Sequence, residues 1–273
     1  MSRKVEGRIS SVRGHRIDVH EVGEGPPLLF LGAGIGNDPG RAAIEILARK
    51  FRVIAPSHPG FAGSERPRSI TTVDDLSYFY LDLLQEHSLS GAVVVGVSFG
   101  GWIASEIAVK STAHISRLVL ADAVGIKIGD RETRDITDVF QITEDNLRKA
   151  IFATPAPRVV DYKSMTDAEV LAITQNREAL ARFAWSPYMH NPKLKDRLHR
   201  IAVPTLVLWG AEDGVVSTAY GRAYCAAIPA AAFATIENAG HLAQIDQPED
   251  FARHVLDFTS GALTAKRETT GAA

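Results

Sequence analysis

The chain carries one cysteine, Cys225, so it can close no intrachain disulfide, and a reducing compartment suits it. That cysteine lies in "GRAYCAAIP", which reads as a buried helix position rather than a reactive thiol. There is no surplus of basic residues: 30 Lys and Arg face 32 Asp and Glu, the net charge is −2, and no basic stripe occurs. Nucleic acid and anionic membrane surfaces are thereby set aside as main partners. No apolar run reaches the length of a membrane-spanning helix, and the first residues hold no stretch suited to a signal peptide, so a cytoplasmic location is expected. Repeats are absent, as is any His/Cys/Asp cluster with metal-ligand spacing, so neither a metal nor another cofactor is expected. What remains is a chain of 273 residues, 45% hydrophobic and 23% charged, enough for one α/β core with an insertion.

Short apolar runs alternate with amphipathic stretches. Strands are expected over Gly7 to Val12, His15 to Val22, Pro27 to Leu31, Phe51 to Ala55, Ala92 to Val97, Arg117 to Asp122, around "PTLVLWG", and over Ala231 to Ile236. Helical spacing marks Arg41 to Lys50, Thr72 to His87, Gly101 to Lys110, Tyr220 to Ala227 and "QPEDFARHVLDF", where Pro248 suits a first helical position. This rhythm implies a mostly parallel sheet with helices on both faces. Between residues 127 and 200 it stops. "TEDNLRKAIF" and "DAEVLAITQNREALARFAW" are helical and more polar, with no strand run between them. The expected organisation is a core from 1–126 and 201–260, a helical insertion at 127–200, and a disordered tail at 261–273.

One stretch carries chemistry. In "VVVGVSFGGWIASEIA" a β-branched strand runs into Gly96-Val97-Ser98-Phe99-Gly100, and a helix follows. A sharp strand-to-helix turn lifts a serine hydroxyl above a sheet, and its neighbours two residues away must lack Cβ atoms because the chain passes too close. The helix also points its free N–H groups at the spot where negative charge would develop. A serine hydroxyl is a poor nucleophile at neutral pH and needs a base. Histidine suits that role, and a carboxylate fixes its tautomer.

The G-x-S-x-G elbow in this setting resembles the α/β-hydrolase family, from about Val19 to Phe258. The resemblance implies an eight-stranded, mostly parallel sheet with a helical lid after the sixth strand, here 127–200. It also implies the chain order serine, acid, histidine. Asp213 in "LVLWGAEDGVV" follows the seventh strand, three residues after the glycine, which favours it over Glu212. His241 in "ENAGHLAQ" follows the eighth. Asp122, at the end of the sixth strand, is the alternative acid. On this resemblance Ser98, His241 and Asp213 are the catalytic candidates.

An acyl-transfer site also needs donors for the oxyanion. One is the Phe99 N–H. The family's second donor comes from a loop after the third strand that starts His-Gly, but here that loop reads "LFLGAGIGNDPG" and the histidine is missing. Without a gap Gly34 is the second donor; with a one-residue deletion it is Ala33. His58 sits in "SHPGF", a loop that could border the pocket, while Gly60, Gly63 and Ser64 suit a tight turn. Phe140, Phe152, Phe183, Trp185, Tyr188 and Met189 are the pocket candidates of the insertion, the alternative being a small core of its own. Serine at position 98 argues against relatives that attack through a carboxylate, and the glycines at 32, 34 and 36 lack dinucleotide-loop spacing. The expected function is a serine hydrolase for esters, lactones or thioesters of small apolar acyl compounds. The same three residues also serve a carbon–carbon bond hydrolase of diketone type, a cofactor-free perhydrolase or an acyltransferase, and a non-catalytic receptor is the alternative outside enzymes. The partner expected is a small-molecule substrate, and a homodimer stays open.

Overall fold

A computed structural model of the chain describes residues 8–35, 40–154 and 161–262. The tail expected to be disordered lies, from residue 263, outside them, as do 36–39 of the loop after the third strand.

Eight strands form one sheet: β1 (Arg8–Val12), β2 (His15–Val22), β3 (Pro27–Leu31), β4 (Arg52–Pro56), β5 (Ala92–Val97), β6 (Ile115–Ala121), β7 (Thr205–Gly210) and β8 (Ala232–Ile236). Their spatial order is β1-β2-β4-β3-β5-β6-β7-β8. The pairs β1–β2 and β2–β4 are antiparallel, and every other pair is parallel. Strands β5 and β7, each paired on both sides, are buried along their whole length, which is why "AVVVGV" and "TLVLWG" run apolar without alternation.

The flanking helices are α1 (Arg41–Leu47), α2 (Val73–Glu86), α3 (Phe99–Lys110), α6 (Thr218–Ala226), α7 (Ala243–Asp246) and α8 (Pro248–Ser260); α4 (Glu144–Ile151) and α5 (Asp167–Ala184) lie between β6 and β7. Helix α1 packs on α8, and α2 packs on α3. The start of α2 is a capping box: Thr72 accepts from the Asp75 N–H, and the Asp75 carboxylate accepts from the Thr72 N–H. From Ala121 to Thr205 the described residues hold no strand of the sheet, only α4, α5, a 3-10 turn at Lys195–Arg200 and isolated bridges.

Two local expectations need correction, and one short helix has no sequence signal. Helix α3 begins at Phe99 rather than Gly101, because the turn at Ser98 is completed in one residue. The short α7 after His241 has too few residues to show a period. Cys225 is on α6 as expected but only half-buried; burial still pushes its thiol pKa up, which keeps it protonated. No helix among the described residues is long and apolar enough to cross a membrane.

Candidate active site

Strand β5 delivers Ser98 to the edge of the sheet in a backbone conformation that side chains rarely adopt, φ 51° and ψ −113°. Such strain costs on the order of 1–3 kcal/mol and persists only where surroundings enforce it. Here the Ser98 N–H donates to Ala121 O at 2.9 Å, and Ser98 O accepts from Trp102 N at 3.1 Å. The turn is so tight that a Cβ on Gly96 would lie 2.5 Å from Gly100 O, and a Cβ on Gly100 would lie 2.1 Å from Leu31 O. The two glycines of the elbow are therefore explained by close approach of backbone.

Residues distant in sequence meet the hydroxyl there. His241 Nε2 lies 2.7 Å from Ser98 Oγ, and His241 Nδ1 lies 2.9 Å from Asp213 Oδ2. With a carboxylate at Nδ1, that nitrogen carries the proton and Nε2 is the free base that accepts from the serine. Asp213 is itself held, because its Oδ1 accepts from the N–H groups of Val215 and Val216 at 2.8 and 3.0 Å. The loops bearing acid and histidine touch: a Cβ on Gly210 would lie 2.1 Å from Gly240 O. Asp246 fixes the histidine loop by accepting from the N–H groups of Gly240 and Ala153. Both His241 and Asp213 are buried, and Ser98 is 3% exposed.

Asp122, the alternative acid, is also here and fully buried. Its Oδ1 accepts from Gly210 N at 2.7 Å. Burial, then the nearby Asp213 carboxylate, push its pKa well above the usual carboxylate range. The hydrogen bond to His241 Nδ1 comes from Asp213 and not from Asp122.

The residue that sequence reasoning left at the margin is His58. It is buried, its Nδ1 lies 2.6 Å from the Tyr80 hydroxyl, and its Nε2 lies 2.9 Å from Gly32 O. A carbonyl requires a donor, so Nε2 is protonated and Nδ1 accepts from Tyr80. Burial lowers the His58 pKa from 6.5 to about 4, partly countered by the bond to Gly32. The unfolded chain therefore takes up a proton that the folded one refuses. Stability is full above pH 6.5 and falls as pH drops toward 4, by roughly 3 kcal/mol for this group. Urea unfolding at pH 7.5 and 4.5 should show that loss, and it should shrink in His58→Gln.

Phe99, as the first residue of α3, has an N–H without an intrahelical acceptor. Gly34 sits beside it at φ +70°; a Cβ there would lie 2.9 Å from the Phe61 ring and 3.4 Å from the Phe99 ring. Ala33 is buried next to it. Among the pocket candidates, Phe183 on α5 reaches this place. Its ring stacks on Phe61 with centroids 6.3 Å apart and meets Phe99 at 6.1 Å. Phe61 was hidden from sequence reasoning in a Gly- and Pro-rich turn.

Phe140, Trp185 and Tyr188 instead cluster with one another, and the Tyr188 hydroxyl binds backbone at Thr137 and Val139. Trp185 is 57% exposed. Met189 is buried, and Phe152 caps α4 half-buried, one residue past Ile151, whose carbonyl Gly240 approaches.

The comparisons with known proteins agree with this architecture. A model of the alpha/beta hydrolase family matches residues 38–254. The chain is 26% identical over 270 residues to a 2-hydroxy-6-oxo-2,4-heptadienoate hydrolase of Pseudomonas putida, covering 92% of this chain and 95% of that protein. A meta-cleavage product hydrolase from Pseudomonas fluorescens IP01 superposes with a TM-score of 0.75 at 22% identity, over 93% of this chain and 99% of that one. Naproxen esterase of Bacillus subtilis does so with a TM-score of 0.74 at 16% identity, over 94% and 92%. These two likenesses establish a shared fold.

Proposed function

The chain belongs to the alpha/beta hydrolase family, and from that premise we propose that it is a serine hydrolase cleaving esters, lactones or thioesters of small apolar acyl compounds. The observation that carries this is the continuous relay from Ser98 Oγ through His241 to Asp213, at 2.7 and 2.9 Å.

Ser98 Oγ attacks the substrate carbonyl carbon while His241 Nε2 takes its proton. The carbonyl oxygen becomes an oxyanion facing the N–H groups of Phe99 and Gly34. The imidazolium, steadied by Asp213, passes its proton to the leaving oxygen or sulfur as that bond breaks. Water then gives a proton to His241 and attacks the acyl carbon, and Ser98 leaves with the proton restored. Residues 127–200 act as a lid, and Phe183 with Phe61 forms the apolar wall for the acyl group.

A second reading has specific support. The compound named for the Pseudomonas putida relative contains no ester, so its hydrolysis breaks a carbon–carbon bond beside the 6-oxo carbon. The same Ser98, His241 and Asp213 serve that reaction.

The test uses p-nitrophenyl acetate and hexanoate, a 2-hydroxy-6-oxo-dienoate and a fluorophosphonate probe. Ester turnover and probe labelling, both lost in Ser98→Ala, are the expected result. Labelling with turnover of the dienoate alone moves the assignment to the second reading. Folded protein that neither labels nor turns over any of them overturns both.

A further inference from the structure

We propose that His58 is a positioning residue that sets the oxyanion loop by pinning the carbonyl of Gly32. This rests on the serine-hydrolase reading above, because it concerns the amides that face the developing oxyanion.

The loop after β3 has little to hold itself with. Gly32, Ala33 and Gly34 offer no side chain beyond a methyl, and the loop lacks the histidine that opens it in the family pattern. Its position nevertheless matters within tenths of an ångström. The loop's first carbonyls press on the elbow: a Cβ on Gly100 would lie 2.1 Å from Leu31 O and 2.6 Å from Gly32 O. Oxyanion stabilisation depends on donors already in place when charge develops.

His58 supplies the missing restraint from another part of the sheet. It stands two residues past β4, and its Nε2–H reaches Gly32 O at 2.9 Å. Among the described residues, no other side chain is hydrogen-bonded to the backbone of 32–35. The ring is itself fixed. Tyr80 on α2 donates to Nδ1 at 2.6 Å, and Phe61, Tyr80 and Phe99 meet its faces and edges with centroids 5.3, 5.7 and 5.6 Å away. Burial pushes the Tyr80 pKa well up, so the hydroxyl keeps its proton and remains the donor. Tyr80 is the titratable group that bonds to the imidazole, and the other rings around it are uncharged. The tautomer is thus dictated from α2, and the carbonyl it grips is two residues from Gly34. A chain of hydrogen bonds runs from the helix layer to the loop that faces the serine.

The test follows phosphonylation of Ser98 by a fluorophosphonate, which builds negative charge on the phosphoryl oxygen whatever bond the natural substrate presents. The maximal labelling rate and the half-saturating probe concentration are measured for wild type, Ser98→Ala, His58→Phe, His58→Gln and Tyr80→Phe, with circular dichroism to verify folding. His58→Phe keeps the ring's bulk but cannot donate. Its labelling rate should fall about 10- to 100-fold with half-saturation changed less than about threefold, because losing an oxyanion donor outright costs about 10²–10³ and displacement costs part of that. Phenylboronic acid, which forms a tetrahedral adduct on the serine, should weaken by the same factor. His58→Gln places an N–H near the Nε2 position and should recover to within about fivefold of wild type.

A folded His58→Phe that labels within about twofold of wild type overturns the proposal, as does His58→Gln falling as far as His58→Phe. Should His58→Phe fail to fold, Tyr80→Phe decides. A slower maximal rate at unchanged half-saturation supports the positioning role, and an unchanged rate overturns it. Wild type that does not label at Ser98 sinks the serine-hydrolase reading and this proposal together. Wild type that labels while His58→Phe labels equally fast sinks this proposal alone.

Discussion

Gly100→Ala should be among the most damaging single-methyl additions in the molecule. Its new Cβ would lie 2.1 Å from Leu31 O, 2.5 Å from Leu31 C and 2.6 Å from Gly32 O. All three are backbone atoms, in a strand end and a loop with no side chain to swing aside. Relief requires α3 to move away from β3, and Phe99 and Ser98 move with it. The expected cost is roughly 3 kcal/mol or more in urea unfolding, at the upper end for overpacking. Labelling of Ser98 should fall even where the variant folds. Gly14→Ala provides the comparison. Its Cβ meets nothing within 4 Å, so only the strain of φ +81° remains, about 1 kcal/mol, with labelling intact. Equal losses in the two variants would refute the close-approach account.

The second large effect separates the two buried carboxyls. His241→Ala should lower kcat by about 10⁶-fold, as removal of a base acting jointly with its nucleophile does. Asp213→Asn should lower it by about 10⁴-fold, because an amide that keeps the Val215 and Val216 bonds can present an N–H to Nδ1 and enforce the wrong tautomer. Asp122→Asn should stay within about tenfold of wild type. An amide there has the shape of the carboxyl group, and its oxygen still accepts from Gly210 N. Steady-state kinetics on whichever substrate the chain turns over decide the matter. A larger loss at position 122 than at 213 would transfer the orienting role to Asp122.

How far the sequence disclosed this molecule depends on the range over which each feature is determined. Strands β2, β3 and β5 coincide with the ranges expected from the sequence, because Gly, Pro and Ser punctuate both ends. Helix α2 announces itself through Thr72 and Asp75, a purely local device. The elbow is likewise local, since Gly96, Ser98 and Gly100 fall within five residues. The meeting of Ser98, Asp213 and His241 is not local. No spacing encodes it, and only the chain order carried by the family resemblance nominated those residues. The aromatic wall shows the limit. Phe61 and Phe183 are 122 residues apart and stack only after two separate layers have docked. Trp185, two residues past Phe183, points outward, a difference that helical periodicity at the frayed end of α5 does not resolve. His58 was legible as a loop histidine, but its function depends on Tyr80 being buried beside it from a different helix.

The hydrogen bond between residues 98 and 241 spans more than half of the chain. On a ribosome the elbow emerges complete long before the imidazole that serves it, and the intervening polypeptide must first add three strands to the sheet. Contacts of such sequence separation form late, because loop closure must be met before they repay it. A nascent or half-assembled copy therefore carries an inert alcohol, and reactivity arrives only with the finished fold.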